Sequence, residues 1–241
     1  MRDKSNFDEG LATLMQYKIL FAASAIVFIA AAAIGILPMF VNSAVGHFIL
    51  MILITLLEMP LYFGFIKLAL TACRGASPSL GQLVEFYKPA LLFKALLYGL
   101  VAGVLIIIGG IGIAIVTMVA ASVTRSLLLG LIAIIGCYIL VLMYMIKIIP
   151  MLFIFVEQPD RGVMEALSAG WALTTGRMKD LLLIGWGLFW RTLILGIIPG
   201  LVMMAAGEAS TIALIINALF TIILDAYMLA VIGSVWLELN E

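Results

Sequence analysis

The sequence predicts an all-α membrane protein of six transmembrane helices, and three observations carry that prediction. Of 241 residues, 66% are hydrophobic and 11% are charged, far below the roughly 25% charge of a domain that must cover itself with water. Several apolar runs exceed the roughly 20 residues that a helix needs to cross a bilayer. The short segments of alternating polarity that build a transmembrane barrel are missing from the sequence. Mean hydropathy is +1.30, and the whole chain, 1–241, reads as a single polytopic domain.

The elements follow in order. The opening stretch "MRDKSNFDEGLATLMQYK" mixes both signs of charge and lacks a cleavage site before a short apolar core. Residues 1–17 therefore read as a retained cytoplasmic tail rather than a signal peptide. Spans are predicted over about 18–39, 47–70, 91–117, 127–155, 181–205 and 210–235, each checked against the span length above. The break between the third and fourth is weak, and Arg125 among Ser122, Thr124 and Ser126 marks an outer turn there.

Basic residues orient the bundle. Arg2, Lys4, Lys18, Lys67, Arg74, Lys88, Arg161, Arg177 and Lys179 fall on one side and Arg125 alone on the other. That asymmetry is a positive-inside signal, and it predicts that both termini and the loops 71–90 and 157–180 are cytoplasmic.

Each of these loops is predicted to hold an amphipathic helix. In "CRGASPSLGQLVEFYKP", Ser77-Pro78 suits a helix start and Ser79 with Gln82 has capping-box spacing. Leu80, Leu83, Val84 and Tyr87 then form an apolar stripe. In "EQPDRGVMEALSAGWALTTGRMKD", Asp160 can cap, Val163, Leu167 and Trp171 recur four apart, and Gly176 suits a helix stop. Pro60 and Pro150 enter the two loops alike, followed by "LYFGF" and "MLFIF". This similarity suggests a parallel repeat of two hairpins.

Residues 60–200 resemble the YciC-like bacterial integral membrane proteins, which are grouped with the membrane domain of some glycerophosphoryl diester phosphodiesterases. The resemblance rests on the proline near the span end, the aromatic-aliphatic run, the "QPDRG" turn, the small residues Ser168, Ala169 and Gly170, and Thr174-Thr175-Gly176-Arg177. "LALTACRG" in the first loop is a second echo. The resemblance implies a six-helix bundle with cytoplasmic helical loops. The acid and histidine cluster of the phosphodiesterase domain has no counterpart in the sequence, so the resemblance brings no reaction and no catalytic residues.

Four charges fall within the apolar spans: Glu58, Lys147, Arg191 and Asp225. Counted from the predicted cytoplasmic ends, they lie roughly 13 to 18 Å deep. Exposing one to lipid costs at least about 2.5–3.5 kcal/mol on insertion scales. Position pairs Arg191 with Asp225 and Glu58 with Lys147. Either the four line a polar site or proton path, or they are buried ion pairs fixing helix register. Their charge balance favours the second reading, because a transport site usually leaves one charge for its cargo.

Other motifs have plainer readings. Lys94 can snorkel to the headgroups. His47 sits at an outer helix start without the partners a metal needs. Cys73 and Cys137 give no framework of disulfides. "GGIG" at 109–112 lacks the strand-to-helix setting of a dinucleotide fingerprint. Gly99 with Gly103 and Gly196 with Gly200 have the spacing of close helix packing. Trp186 and Trp190 form an aromatic face beside Arg191, read as packing or lipid contact in preference to ligand stacking.

Arg74, Tyr87, Trp171, Arg177 and Lys179 are placed as contacts at the inner interface. Zero net charge argues against nucleic acid, and no cofactor, metal or catalytic set is predicted. The expected protein is non-enzymatic, sits in a bacterial inner membrane, and organises lipids or protein partners (a second copy included) at the cytoplasmic face. The alternative is a small permease or channel using the four intramembrane charges.

Overall fold

The described parts of the apolar segments are helical, and shorter helices form beside them in the N-terminal stretch and in both charged loops. The structure, a computed structural model, describes residues 3–36, 43–123, 127–206 and 211–240. The helices are α1 (Asp3–Gln16), α2 (Ile19–Ile36), α3 (Ala44–Cys73), α4 (Pro89–Val123), α5 (Leu127–Glu157), α6 (Val163–Thr174), α7 (Met178–Ala206) and α8 (Thr211–Asn240), with a 3-10 helix over Leu80–Tyr87. Among the described residues there is no strand. That is what a chain needs where no water can satisfy its backbone.

Among the described residues, four helical stretches are long and apolar enough to cross a membrane: Val45–Cys73, Pro89–Gly109, Met178–Val202 and Leu214–Asn240. A fifth joins them if Asn6–Gln16 and Ile19–Ala32, which meet at 90°, make one span. The predicted outer turn at Arg125 lies outside the described residues. So does the structure around the breaks after α2 and α7.

Helix ends follow local chemistry. Ser43 caps α3, its hydroxyl accepting the Gly46 N–H at 3.3 Å. Gly75 ends the same helix with φ +72, and Ala76 N–H returns to Thr71 C=O at 3.1 Å. This closure satisfies carbonyls that the helix leaves open. Gly176, with φ +87, follows α6 and serves as the stop expected there.

The chain forms two compact units, one of Met1–Leu96 with Trp186–Glu241 and the other of Leu97–Gly185. In the first, α1 packs on α8, α2 packs on α3 and α8, and the 3-10 helix packs on α3. Its core joins Phe63, Phe65, Ile66 and Leu68 of α3 to Leu83 and Phe86 of the 3-10 helix, Leu20 of α2, and Ala226, Ala230 and Val231 of α8. In the second, α6 packs on α5. Tyr98, Met151, Phe153, Phe155 and Ala166 are its buried centre.

Within each unit, among the described residues, the burial on α3, α5 and α8 lies in their C-terminal halves. Leu61–Ala72, Ile148–Val156 and Ala226–Leu239 hold most of the buried residues of those helices. The short elements explain this, because each doubles back along one long helix. Asn6 Nδ2 donates to Glu238 at 2.9 Å, holding α1 on α8. Lys67 and Glu85 pair at 2.6 Å, holding the 3-10 helix on α3. The residues expected as an N-terminal tail are thus a helix with buried Asn6, Phe7 and Leu14.

Both loop helices form, and each packs through a narrow face. The amphipathic helix of the first loop is a 3-10 helix, and Gln82 accepts the Ser79 N–H at 3.3 Å as its capping box requires. Three residues per turn bring i and i+3 to one face, so Leu83 and Phe86 are buried, while Leu80, Val84 and Tyr87 are exposed. Such runs rarely exceed four residues. This one extends to eight because α3 supplies its partners. Gly64 receives it so closely that a Cβ there would lie within 2.3 Å of the Leu83 carbonyl oxygen.

In the second loop the N-cap is Gly162 rather than Asp160, and the packed stripe is Ala166, Gly170 and Thr174. Val163 and Leu167 are half-buried and Trp171 is exposed. Small side chains win the interface because they let backbones approach. A Cβ on Gly170 would stand 3.1 Å from Pro150 Cβ.

Candidate functional site

Within the second unit, the small face of α6 determines what its C-terminus can reach. With Gly170 against Pro150 and Met151, the end of α6 comes level with Lys147, about 15 Å back along α5 from Glu157 at helical rise. Lys147 Nζ stands 3.4 Å from the Trp171 carbonyl and 3.4 Å from Thr175 Oγ1. It also lies 5.1 Å from the Trp171 ring centroid. The ammonium therefore caps a helix C-terminus, where the macrodipole favours a cation, and touches an aromatic face as well.

Around that point the polar groups are satisfied locally. Thr174 Oγ1 donates to Gly170 C=O at 3.1 Å, and Thr175 Oγ1 donates to Trp171 C=O at 2.7 Å. Tyr98 donates to the Arg161 carbonyl at 2.7 Å and stacks on Phe155 at 4.2 Å. Arg161 Nε and Glu165 stand 3.5 Å apart one turn along, a pair worth little because it is exposed. Beyond the Gly176 turn, Arg177 and Lys179 are exposed, and Trp171 is 52% exposed. An exposed indole beside an ammonium, followed by two more basic residues, is the usual dress of a helix end facing headgroups.

The first unit holds Arg74, Tyr87, Glu58, Arg191 and Asp225. Arg74 and Tyr87 are exposed, at the end of α3 and of the 3-10 helix. Burial raises the pKa of the Tyr87 hydroxyl, and the nearby Glu58 carboxylate adds to the shift.

Arg191 Nη1 donates to Tyr227 Oη at 3.1 Å. Its guanidinium carbon lies 3.4 Å from the Phe7 ring centroid. The pairing of Arg191 with Asp225 drawn from the sequence is not what the helix faces allow. Asp225 and Tyr227 are two residues apart, roughly 200° around α8, so when Arg191 takes Tyr227 the carboxylate turns away. Asp225 is exposed. Among the described residues of this unit, no ion pair closes on Glu58, Arg191 or Asp225. Lys147 belongs to the other unit, where its partners are those of α6 given above.

Several contributors escape a reading by sequence. Phe7 is an aromatic residue inside a charged stretch, "NFDEG", and Tyr227 stands two residues after the acid that drew attention. Thr175 is one of a pair of threonines, and Gly64 and Gly170 are glycines among many. The expected tight glycines also shift. A Cβ at Gly103, Gly196 or Gly200 meets nothing within 4 Å among the described residues, whereas one at Gly10 comes within 2.5 Å of Val231 Cγ2. Trp186 and Trp190 do meet edge to face, with centroids 5.8 Å apart. Cys73 donates to Ala230 C=O at 3.4 Å, packing α3 on α8. Among the described residues, no group of three or more His, Cys, Asp or Glu side chains gathers as metal ligands.

The candidate site is therefore a cationic and aromatic surface around α6, and the separate unit carries the Arg191 guanidinium, held by Tyr227 and the Phe7 ring within a helix apolar enough to cross a membrane. No protein-family model, curated protein or solved structure matches the chain.

Proposed function

We propose that this is a non-enzymatic, six-span protein of a bacterial inner membrane that gathers anionic lipid headgroups at the cytoplasmic face, with both termini on that side. The observation that carries this reading is the position of Lys147. Its ammonium lies against the Trp171 carbonyl and indole, with Arg177 and Lys179 exposed just beyond. Three basic side chains around an exposed indole suit a phosphate better than a neutral solute. The kinship of residues 60–200 with YciC-like proteins belongs to the same proposal and adds no reaction to it.

The test is lipid retention. Protein in nanodiscs of mixed phosphatidylglycerol and phosphatidylcholine is released into native mass spectrometry, and retained lipids are counted. A basic residue near an anionic surface contributes about 1 kcal/mol, so Lys147→Gln should lower phosphatidylglycerol retention about fivefold, with a comparable loss for Trp171→Ala. Unchanged retention in both variants would remove the basis of the reading.

A second reading, a small permease, has one specific observation in its favour. Glu58, Arg191 and Asp225 stand in apolar helices without ion pairs among the described residues of their unit, which is costly for a purely structural role. Solute flux in proteoliposomes that Asp225→Asn abolishes would favour it.

A further inference from the structure

We infer that Arg191 is a phosphate-binding point inside α7, and that the N-terminal helix α1 keeps it covered with the ring of Phe7. The site is distinct from the α6 surface and does not depend on it.

A guanidinium carries five N–H donors and stays charged in a protein. Arg191 lies 13 residues into α7, about 20 Å from its start at helical rise, and spends Nη1 on a neutral phenol, Tyr227. Among the described residues of its unit no carboxylate pairs with it. The remaining compensation comes from the Phe7 ring face, 3.4 Å from the guanidinium carbon. An aromatic quadrupole soothes a cation without neutralising it. A planar fork of unspent donors is the group that recognises phosphate in bidentate fashion.

The cover is built into the helices. Gly187 precedes Arg191 by one turn of α7, and a Cβ there would stand 2.8 Å from Phe7 Cζ, so the ring occupies a notch that only glycine leaves. Phe7 is 4% exposed. The opposite side of the helix bearing it is open, with Leu11 51% and Met15 68% exposed, while Gly10 and Leu14 pack inward. One polar tether of the helix is Asn6 to Glu238 at 2.9 Å. At its other end, α1 meets α2 through a 90° bend. Swinging at that bend would withdraw Phe7 and leave Arg191, Tyr227 and the Gly187 notch facing a ligand. A permanent carboxylate partner would defeat such a site, since a phosphate would have to displace a full charge instead of a ring.

The ligand is a phosphate group, on a phospholipid or free, and two arms of one experiment separate these sources. Detergent-purified protein is titrated with radiolabelled orthophosphate. The same protein in phosphatidylcholine nanodiscs doped with phosphatidylglycerol is assayed for retained anionic lipid by native mass spectrometry. Phe7→Leu keeps apolar volume in the notch but removes the ring face, and Phe7→Ala removes both. Either should raise binding of one probe at least tenfold over wild type. Adding Arg191→Gln should return it to the wild-type level, while Lys147→Gln should leave the gain in place. A gain with orthophosphate assigns a free anion, and a gain confined to phosphatidylglycerol assigns a lipid. Asn6→Ala, which releases the tether without touching the ring, should raise the same signal about threefold. The inference is overturned if folded Phe7→Leu and Asn6→Ala proteins bind neither probe better than wild type, or if the gain survives Arg191→Gln.

Discussion

Gly64 shows how much a single residue decides in this protein. It sits in α3 with no turn to make and no positive φ, yet a Cβ there would fall 2.3 Å from the Leu83 carbonyl oxygen and 2.5 Å from Leu83 Cα. Both are backbone atoms, so no rotamer can relieve the clash. Gly64→Ala should therefore destabilise by about 1–3 kcal/mol through overpacking, seen as a lower unfolding midpoint in detergent. Gly103→Ala is the contrast: its Cβ enters open space, and the midpoint should stay within the equivalent of about 0.5 kcal/mol. Gly176 is required for another reason, its φ of +87. Gly176→Ala should cost about 1–2 kcal/mol, the left-handed penalty of an L-residue, in the same measurement. Gly176 is legible in the sequence because a stop signal precedes an apolar span, whereas Gly64 is not, because its partner is 19 residues away on a segment whose docking the local pattern does not encode.

At the scale of elements, the short helices are the informative ones. Sequence spacing located both short helices and the Ser79–Gln82 cap and put Tyr87 and Trp171 at the interface, but it did not show which residues pack. On α6 these are Ala166, Gly170 and Thr174, with Trp171 left exposed. Gly170→Leu should undock α6 from α5. Hydrogen exchange over Val163–Thr174 would then accelerate while α3 and the 3-10 helix stay protected. The 3-10 helix depends on a cross-element pair instead. Lys67 and Glu85 are 33% and 26% exposed at 2.6 Å, neither fully wet nor dry. A double-mutant cycle of Lys67→Gln and Glu85→Gln should return a coupling of about 1 kcal/mol.

For the whole molecule, each docked element lies on the C-terminal half of a long helix, which positive-inside counting places toward the cytoplasm. The proposed arrangement predicts where single cysteines react in intact cells. Cysteines introduced at Ser77 and Ser168 should be shielded from a membrane-impermeant maleimide, and one at Arg125 should be labelled. Labelling at Ser77 or Ser168 would reverse or break the six-span topology. The four intramembrane charges were legible as exceptional from hydropathy alone. Their partners were not, because pairing by neighbouring span ignores the 100° that separates successive residues around a helix. Arg191 meets Tyr227 and Phe7, one of them from a stretch that reads as a polar tail.

By itself the sequence determined the apolar, helical class, the approximate ends of the long helices and the Gly176 stop, though it read α1 as a tail, since each depends on composition or on chemistry within one turn. The tertiary structure decided which face of each helix is packed and which charge meets which partner. The reason lies in the solvent. In water an amphipathic stripe announces its buried side, but in lipid every apolar face is equally acceptable and helices choose one another by steric fit and hydrogen bonds. Small residues such as Gly64, Gly170 and Gly187 carry that fit, and hydropathy barely registers them.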